Sequence, residues 1–302
     1  MIKIKRHILF VPGKNPKPAR KQHTDILWRT LLEGVRRAEP EIALELEQQK
    51  ADFSILPWHP LFYNETKDIT SDLTWLDTLI NTHGPSKDDI QEARHWHKKL
   101  SRYLFTLTDY MPYLINFMPV IMRLTALELS RYFQNRHNVA CQIREMLKRQ
   151  LRPLMASDTR ILLIGHSLGS VIAYDALWEL SHEEKLPGKI DLFITLGSPL
   201  GMNYVQHRLL GAYNTGAVKY PININHWHNI SAVGDITSLN KKFHDSFGEM
   251  IELGIINDIQ DHCKGIYNFY RNENGLNSHR SYGYLVNPAV GKVIADWWNV
   301  KD

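Results

Sequence analysis

The chain has 302 residues, 43% of them hydrophobic and 23% charged, which is the composition of an ordinary folded domain with enough length for a substantial core. Its formal net charge of +4 is spread over 36 basic and 32 acidic residues without a basic run, which argues against an arm that binds nucleic acid. Two cysteines, Cys141 and Cys263, exclude a disulfide framework and point to a reducing, cytoplasmic setting.

The N-terminal stretch MIKIKRHILFVPG places basic residues ahead of apolar ones, as a secretory leader does. Its uninterrupted apolar run is only Ile8 to Val11, and no small-residue cleavage site follows, so a buried first strand over 7–12 is the better reading. The strand ends at Pro12-Gly13 in a sharp turn. A helix is expected from an N-cap near Thr24, with Leu27, Trp28, Leu31, Leu32 and Val35 on one face. Residues 51–56 (ADFSIL) read as a second strand stopped by Pro57, which makes the opening β-α-β, the start of a parallel sheet with helices on its faces.

From about 60 to 138 strand signals vanish and helical ones dominate, so this stretch is expected to be a helical insertion within a single domain spanning 1–302. Its segment 104–124 (LFTLTDYMPYLINFMPVIMRL) is long enough for a membrane span, but Asp109, Asn116, Arg123 and two prolines speak against one. A cap over an active site, with Tyr, Phe and Met lining an acyl-binding cavity, is favoured; a surface helix that touches lipid or a partner is the other reading. Alternation then resumes, with a helix over 139–152 closed by Pro153, a strand RILLIG at 160–165, a helix burying Val171, Ile172, Ala176, Leu177 and Leu180, and strands at 189–197 and 223–233. KGIYNFY at 264–270 is a weaker strand candidate, and Asn287 with Pro288 opens a last helix.

The segment GHSLG at 165–169 matches GxSxG, and its setting matters more than its five letters. An apolar strand runs into Gly165 and an amphipathic helix begins after Ser167, the strand–turn–helix context in which such a serine is lifted above the sheet edge. The bland alternative is a glycine-flanked serine that merely caps a helix. GHSLG, TLGSPLG at 195–201, WHNISAVGDITS at 227–238 and NSHRSYGYL at 277–285 together resemble the lipase and serine-esterase branch of the α/β-hydrolase superfamily. The resemblance covers the second half of the chain, and the first half only through its initial strand and glycine turn.

It implies an α/β-hydrolase fold, with a mostly parallel sheet, helices on both faces and a helical cap, and a nucleophile, acid and base in that chain order. Ser167 is the expected nucleophile, Asp235 the acid in the loop after strand 223–233, and His279 the base before the final helix. Asp258 and Asp261 compete for the acid and His244 and His262 for the base, each less well placed, ahead of the last strand candidate. Leu168 is the expected first backbone donor of an oxyanion hole, with Lys14 as the second and Gly13 as its alternative. Many relatives carry His-Gly where this chain has Pro12-Gly13, a change that leaves backbone donors intact.

Gly13-Lys14 is not a phosphate-binding loop, since GxxxxGK lacks both its upstream glycine and its following Ser/Thr. The pairs His95/His97 and His226/His228 have no third ligand at a convincing spacing, so neither a metal nor an organic cofactor is expected. The reading is therefore an esterase or lipase-like acyl hydrolase acting on a small-molecule or lipid ester. An acyl-thioesterase or acyltransferase on the same residues, or a non-catalytic binding protein of this fold, are the alternatives.

Overall fold

A computed structural model of the protein describes residues 5–48, 52–63, 65–95, 120–238 and 242–300. In chain order its main elements are β1 (Arg6–Val11), α1 (Arg20–Ala38), α2 (Pro40–Gln48), β2 (Asp52–Ile55), α3 (Thr70–Asn81), α4 (Lys87–Arg94) and α5 (Val120–Gln134). They continue as α6 (Val139–Met155), β3 (Arg160–His166), α7 (Leu168–His182), β4 (Ile190–Leu196), β5 (Ile224–Ile230), β6 (Asp258–His262) and α8 (Pro288–Asn299).

The six strands form one sheet in the order β2-β1-β3-β4-β5-β6, and every adjacent pair is parallel. Strand alternation sends successive side chains to opposite faces. Ile8, Phe10, Leu162, Ile164 and Ile194 point to one face, where they pack with Leu27, Leu31 and Val35 of α1, Leu76 of α3 and Ile294 of α8. Leu9, Val11, Ile161, Leu163 and Phe193 point to the other, against Ile143 and Leu147 of α6 and Val171 and Leu177 of α7. A sheet covered on both faces needs strands that are apolar throughout, which is why HILFV and ILLI carry no polar alternation. Helix α7 is itself sandwiched, with only Trp178 and His182 partly exposed, so it is apolar around most of its circumference.

Three expectations need correcting. Helix α1 begins at Arg20, and Thr24 lies inside it with its hydroxyl donating to the Arg20 carbonyl at 2.8 Å instead of capping the end. Helix α6 passes through Pro153 to Met155; the ring sits exposed in the last turn, where the one lost backbone bond leaves a carbonyl that water reaches. Residues 264–270 form no strand; Ile266, Phe269 and Tyr270 are apolar because this loop packs into the core. The last strand of the sheet is instead DIQDH, an edge strand with only Ile259 buried, which a hydrophobic pattern does not reveal.

Of the stretch 60–138, the described part is helical, with α3, α4 and α5, whereas 96–119 and with it most of the apolar segment 104–124 lie outside the described residues. Among the described residues no helix is long and apolar enough to cross a membrane. The chain leaves β1 toward β2 on one side and returns to β3 on the other, so the strand order reverses between β1 and β3. A crevice at the carboxyl ends of the strands is expected there, and the turns after these two strands carry Gly13 and Ser167.

Candidate active site

Ser167 occupies the single position between β3 and α7, at φ 51° and ψ −126°. A non-glycine residue at positive φ is strained by about 1–3 kcal/mol, so its surroundings must hold it. They do: the Ser167 N–H extends the ladder to the Leu196 carbonyl at 3.0 Å, and its own carbonyl accepts from the Ser170 N–H at 3.0 Å and hydroxyl at 2.6 Å. The flanking glycines are sterically required. A Cβ on Gly169 would lie 2.1 Å from the Val11 carbonyl oxygen, and one on Gly165 2.6 Å from the Ser170 Cα.

His279 follows a short hairpin and precedes a turn of helix at Ser281–Leu285; Asp235 lies in the turn after β5. The structure brings these two residues to Ser167. His279 Nε2 is 2.9 Å from the Ser167 hydroxyl, and His279 Nδ1 is 2.9 Å from Asp235 Oδ2. The carboxylate can only accept, so Nδ1 carries the ring proton and the Nε2 lone pair faces the serine hydroxyl. Asp235 Oδ1 accepts from the Thr237 N–H at 2.9 Å and hydroxyl at 2.7 Å, while Oδ2 also accepts from the Tyr284 hydroxyl at 2.6 Å. Burial alone would raise the Asp235 pKa, but electrostatic attraction to His279 and these donors outweigh it and hold the carboxyl below its usual range.

The loop carrying the base is fixed from below by His166, whose Nε2 donates to the His279 carbonyl at 2.8 Å. Burial, with His279 and Lys17 nearby, drives the His166 pKa well down, so this ring is neutral and its Nε2–H is a steady donor.

The three backbone positions proposed as oxyanion donors gather beside Ser167. Lys14, Leu168 and Ser167 line one narrow cleft together with Glu128, Leu129, Pro199 and Thr237. Gly13 stands directly against the serine, where an added Cβ would lie 2.8 Å from Ser167 Cβ and 2.6 Å from His166 Nδ1. The cleft's far wall comes from the 60–138 stretch. Lys14 Nζ pairs with Glu128 Oε2 at 3.1 Å, and Tyr63 donates to Glu128 Oε1 at 2.8 Å. The enclosed part of the cleft has room for about one water molecule at most.

The competing acids and bases are engaged elsewhere. Asp258 and Asp261 lie within β6, not ahead of it: Asp258 pairs with His226 at 2.5 Å, and Asp261 accepts from Asn229 Nδ2 at 2.9 Å and the Phe243 N–H at 2.8 Å. His262 meets His228 at 3.1 Å, and His244 sits on a short exposed helical turn. Sequence reasoning did not single out Thr237, Tyr284, His166 or Glu128. Thr237 carries a local signal, since an N–H and hydroxyl two residues after an aspartate can donate back to its carboxylate, whereas Tyr284, His166 and Glu128 meet their partners only through the fold. Compared with protein-family models, with curated proteins and with solved structures, the chain has no match.

Proposed function

We propose that the protein is a serine hydrolase of the α/β-hydrolase type that cleaves carboxylic esters through an acyl-enzyme on Ser167. The observation that carries this reading is the continuous chain Ser167 Oγ–His279–Asp235, with both links at 2.9 Å, on a serine held at positive φ. In the reaction His279 Nε2 takes the hydroxyl proton as Ser167 Oγ attacks the ester carbonyl carbon. The C=O electrons move onto oxygen, and their return expels the alcohol, which receives the proton from the imidazolium. Water then repeats the cycle on the acyl-enzyme and releases the acid. Asp235 holds the Nδ1–H tautomer and balances the transient imidazolium charge, while the backbone N–H groups of Leu168 and Lys14 receive the oxyanion, with Gly13 as the alternative donor. No metal or organic cofactor has a step in this scheme.

Labelling by a fluorophosphonate probe tests the reading. The wild type is expected to label at one site and Ser167→Ala not at all; folded wild type that stays unlabelled overturns it.

A further inference from the structure

Three successive peptide planes of the turn after β1 are each held by a side chain. The Pro12 carbonyl accepts from Trp58 Nε1 at 2.9 Å, the Gly13 carbonyl from His59 Nε2 at 2.8 Å, and the Lys14 carbonyl from Lys17 Nζ at 2.7 Å. In a trans peptide the C=O and the following N–H point in opposite directions, so holding one aims the other. The third plane shows the rule at work: its carbonyl faces Lys17 while its N–H, on Asn15, donates to the Tyr63 hydroxyl at 2.9 Å. For the middle plane the carbonyl is bound to His59, and the N–H belongs to Lys14, which lines the cleft beside Ser167.

We infer that His59, assisted by Trp58, is a positioning residue that sets the aim of the Lys14 N–H toward the oxyanion. This rests on the proposed acyl-enzyme chemistry. The two rings come from the start of a helical turn just beyond β2, Trp58 as its N-cap and His59 as its first residue, and reach the turn after β1 across 46 residues of chain. They are built for permanence. Both are buried, and they stack on each other with centroids 4.2 Å apart. A carbonyl only accepts, so His59 must carry its proton on Nε2. Burial and the nearby Lys17 charge lower its pKa to about 3, which leaves a neutral ring whose donor does not titrate near neutrality. A loop that must present a backbone N–H to a charge appearing only in the transition state gains from such fixation, because the donor then needs no reorganisation during the reaction.

The test compares His59→Phe, which keeps the ring and removes the donor, with His59→Gln, whose amide N–H replaces Nε2–H. The substrate is p-nitrophenyl butyrate, and a trifluoromethyl ketone serves as mimic of the tetrahedral anion. Loss of one oxyanion donor in comparable sites lowers kcat by about 100- to 1000-fold, so a misaimed donor is expected to lower it by about 10- to 100-fold in His59→Phe, with KM within about twofold. Affinity for the ketone should fall by a similar factor, and Gln should restore most of both. Trp58→Phe, which loses only the donor to Pro12, should show a smaller loss of the same kind and keeps the test open if His59→Phe does not fold. Folded His59→Phe or Trp58→Phe with unchanged kcat overturns the inference, as does equal impairment of Phe and Gln. In both cases fluorophosphonate labelling of the wild type leaves the hydrolase reading standing, whereas an unlabelled wild type removes both.

Discussion

Two buried polar networks lie against the same sheet and shift the pKa values of their aspartates in opposite directions. Around Asp235 the donors are His279 Nδ1, the Tyr284 hydroxyl and both the N–H and hydroxyl of Thr237. Around Asp175 of α7 they are the Tyr132 hydroxyl at 2.9 Å and the Leu210 N–H at 3.0 Å. Both carboxyls are buried. Yet Asp235 is held below the usual carboxyl range, while burial raises Asp175 to about 6 against the pull of the Leu210 N–H and Arg144, with Glu179 opposing them. Burial is common to the two, so the donors and charges aimed at each carboxylate decide the direction of its shift. The scaffolds differ as well. The Asp235 network is assembled from loops at the strand ends and has one edge, Ser167, open to the cleft. The Asp175 network joins α5, α6 and α7 and closes on itself, with Arg144 donating to Glu179 at 2.7 Å and Lys148 pairing with it at 2.9 Å. One arrangement is suited to move a proton and the other to hold three helices together.

The sharpest way to break the comparison is to make each aspartate an asparagine. Asp235→Asn removes the acceptor that fixes the His279 tautomer, and kcat for ester hydrolysis should fall by about 10,000-fold with the fold intact. A loss below tenfold would mean that Asp235 only supports its turn.

Asp175→Asn should leave the rate within about threefold and act on stability instead. The native pKa near 6 lies above the unfolded value near 3.8, so between these the native state binds more protons than the unfolded chain. Wild-type stability therefore loses a contribution as pH rises through this window, about 3 kcal/mol from a two-unit shift at 1.36 kcal/mol per unit. Asparagine does not titrate and lacks that loss. Urea unfolding of both proteins at pH 4 and pH 7.5 should show the variant gaining on the wild type by up to this amount. A gap that does not move with pH contradicts the raised value.

The two networks also differ in how readable they were. The apolar runs of β1, β3 and β4 and the Asn287-Pro288 start of α8 follow from pattern alone, because strands buried on both faces and capped helices leave local marks. The positions of Ser167, Asp235 and His279 were legible because each sits where an element ends. Edge strand β6 was not, since four of its five residues are polar and face outward or to neighbours. Tyr284 and His59 were invisible for a different reason. Each acts through a contact that the fold alone creates, such as the 49 residues between Tyr284 and Asp235, and no spacing rule announces it. Asp175, inside an apolar helix, carries a signal of its own: a buried charge needs partners, and Tyr132 and Arg144 supply them.

Tyr284→Phe sharpens the comparison by removing one donor from Asp235 and so moving it toward the state of Asp175. The hydroxyl donates to Asp235 Oδ2 at 2.6 Å and accepts from the Ala232 N–H at 2.9 Å, so its loss touches both the carboxylate and the turn that carries it. Hydrogen bonds to charged groups contribute about 1.5–3 kcal/mol, of which the remaining donors recover part, and a rate loss of about tenfold is expected. The effect on acid stability has a definite sign. A carboxyl whose native pKa is depressed stabilises the fold above the unfolded pKa, and that stability is lost as pH falls through the native value. Removing the Tyr284 donor raises the native pKa of Asp235 toward the unfolded one, so less of this stabilisation is present at neutral pH and acid unfolding begins at higher pH. The midpoint followed by circular dichroism from pH 6 to pH 2 should shift upward in Tyr284→Phe but not in a Tyr→Phe change at Tyr132, which donates to the carboxyl whose pKa is already raised. Equal shifts in the two variants would show that the donors around Asp235 do not set its charge, and the contrast between the two networks would then lie in their scaffolds alone.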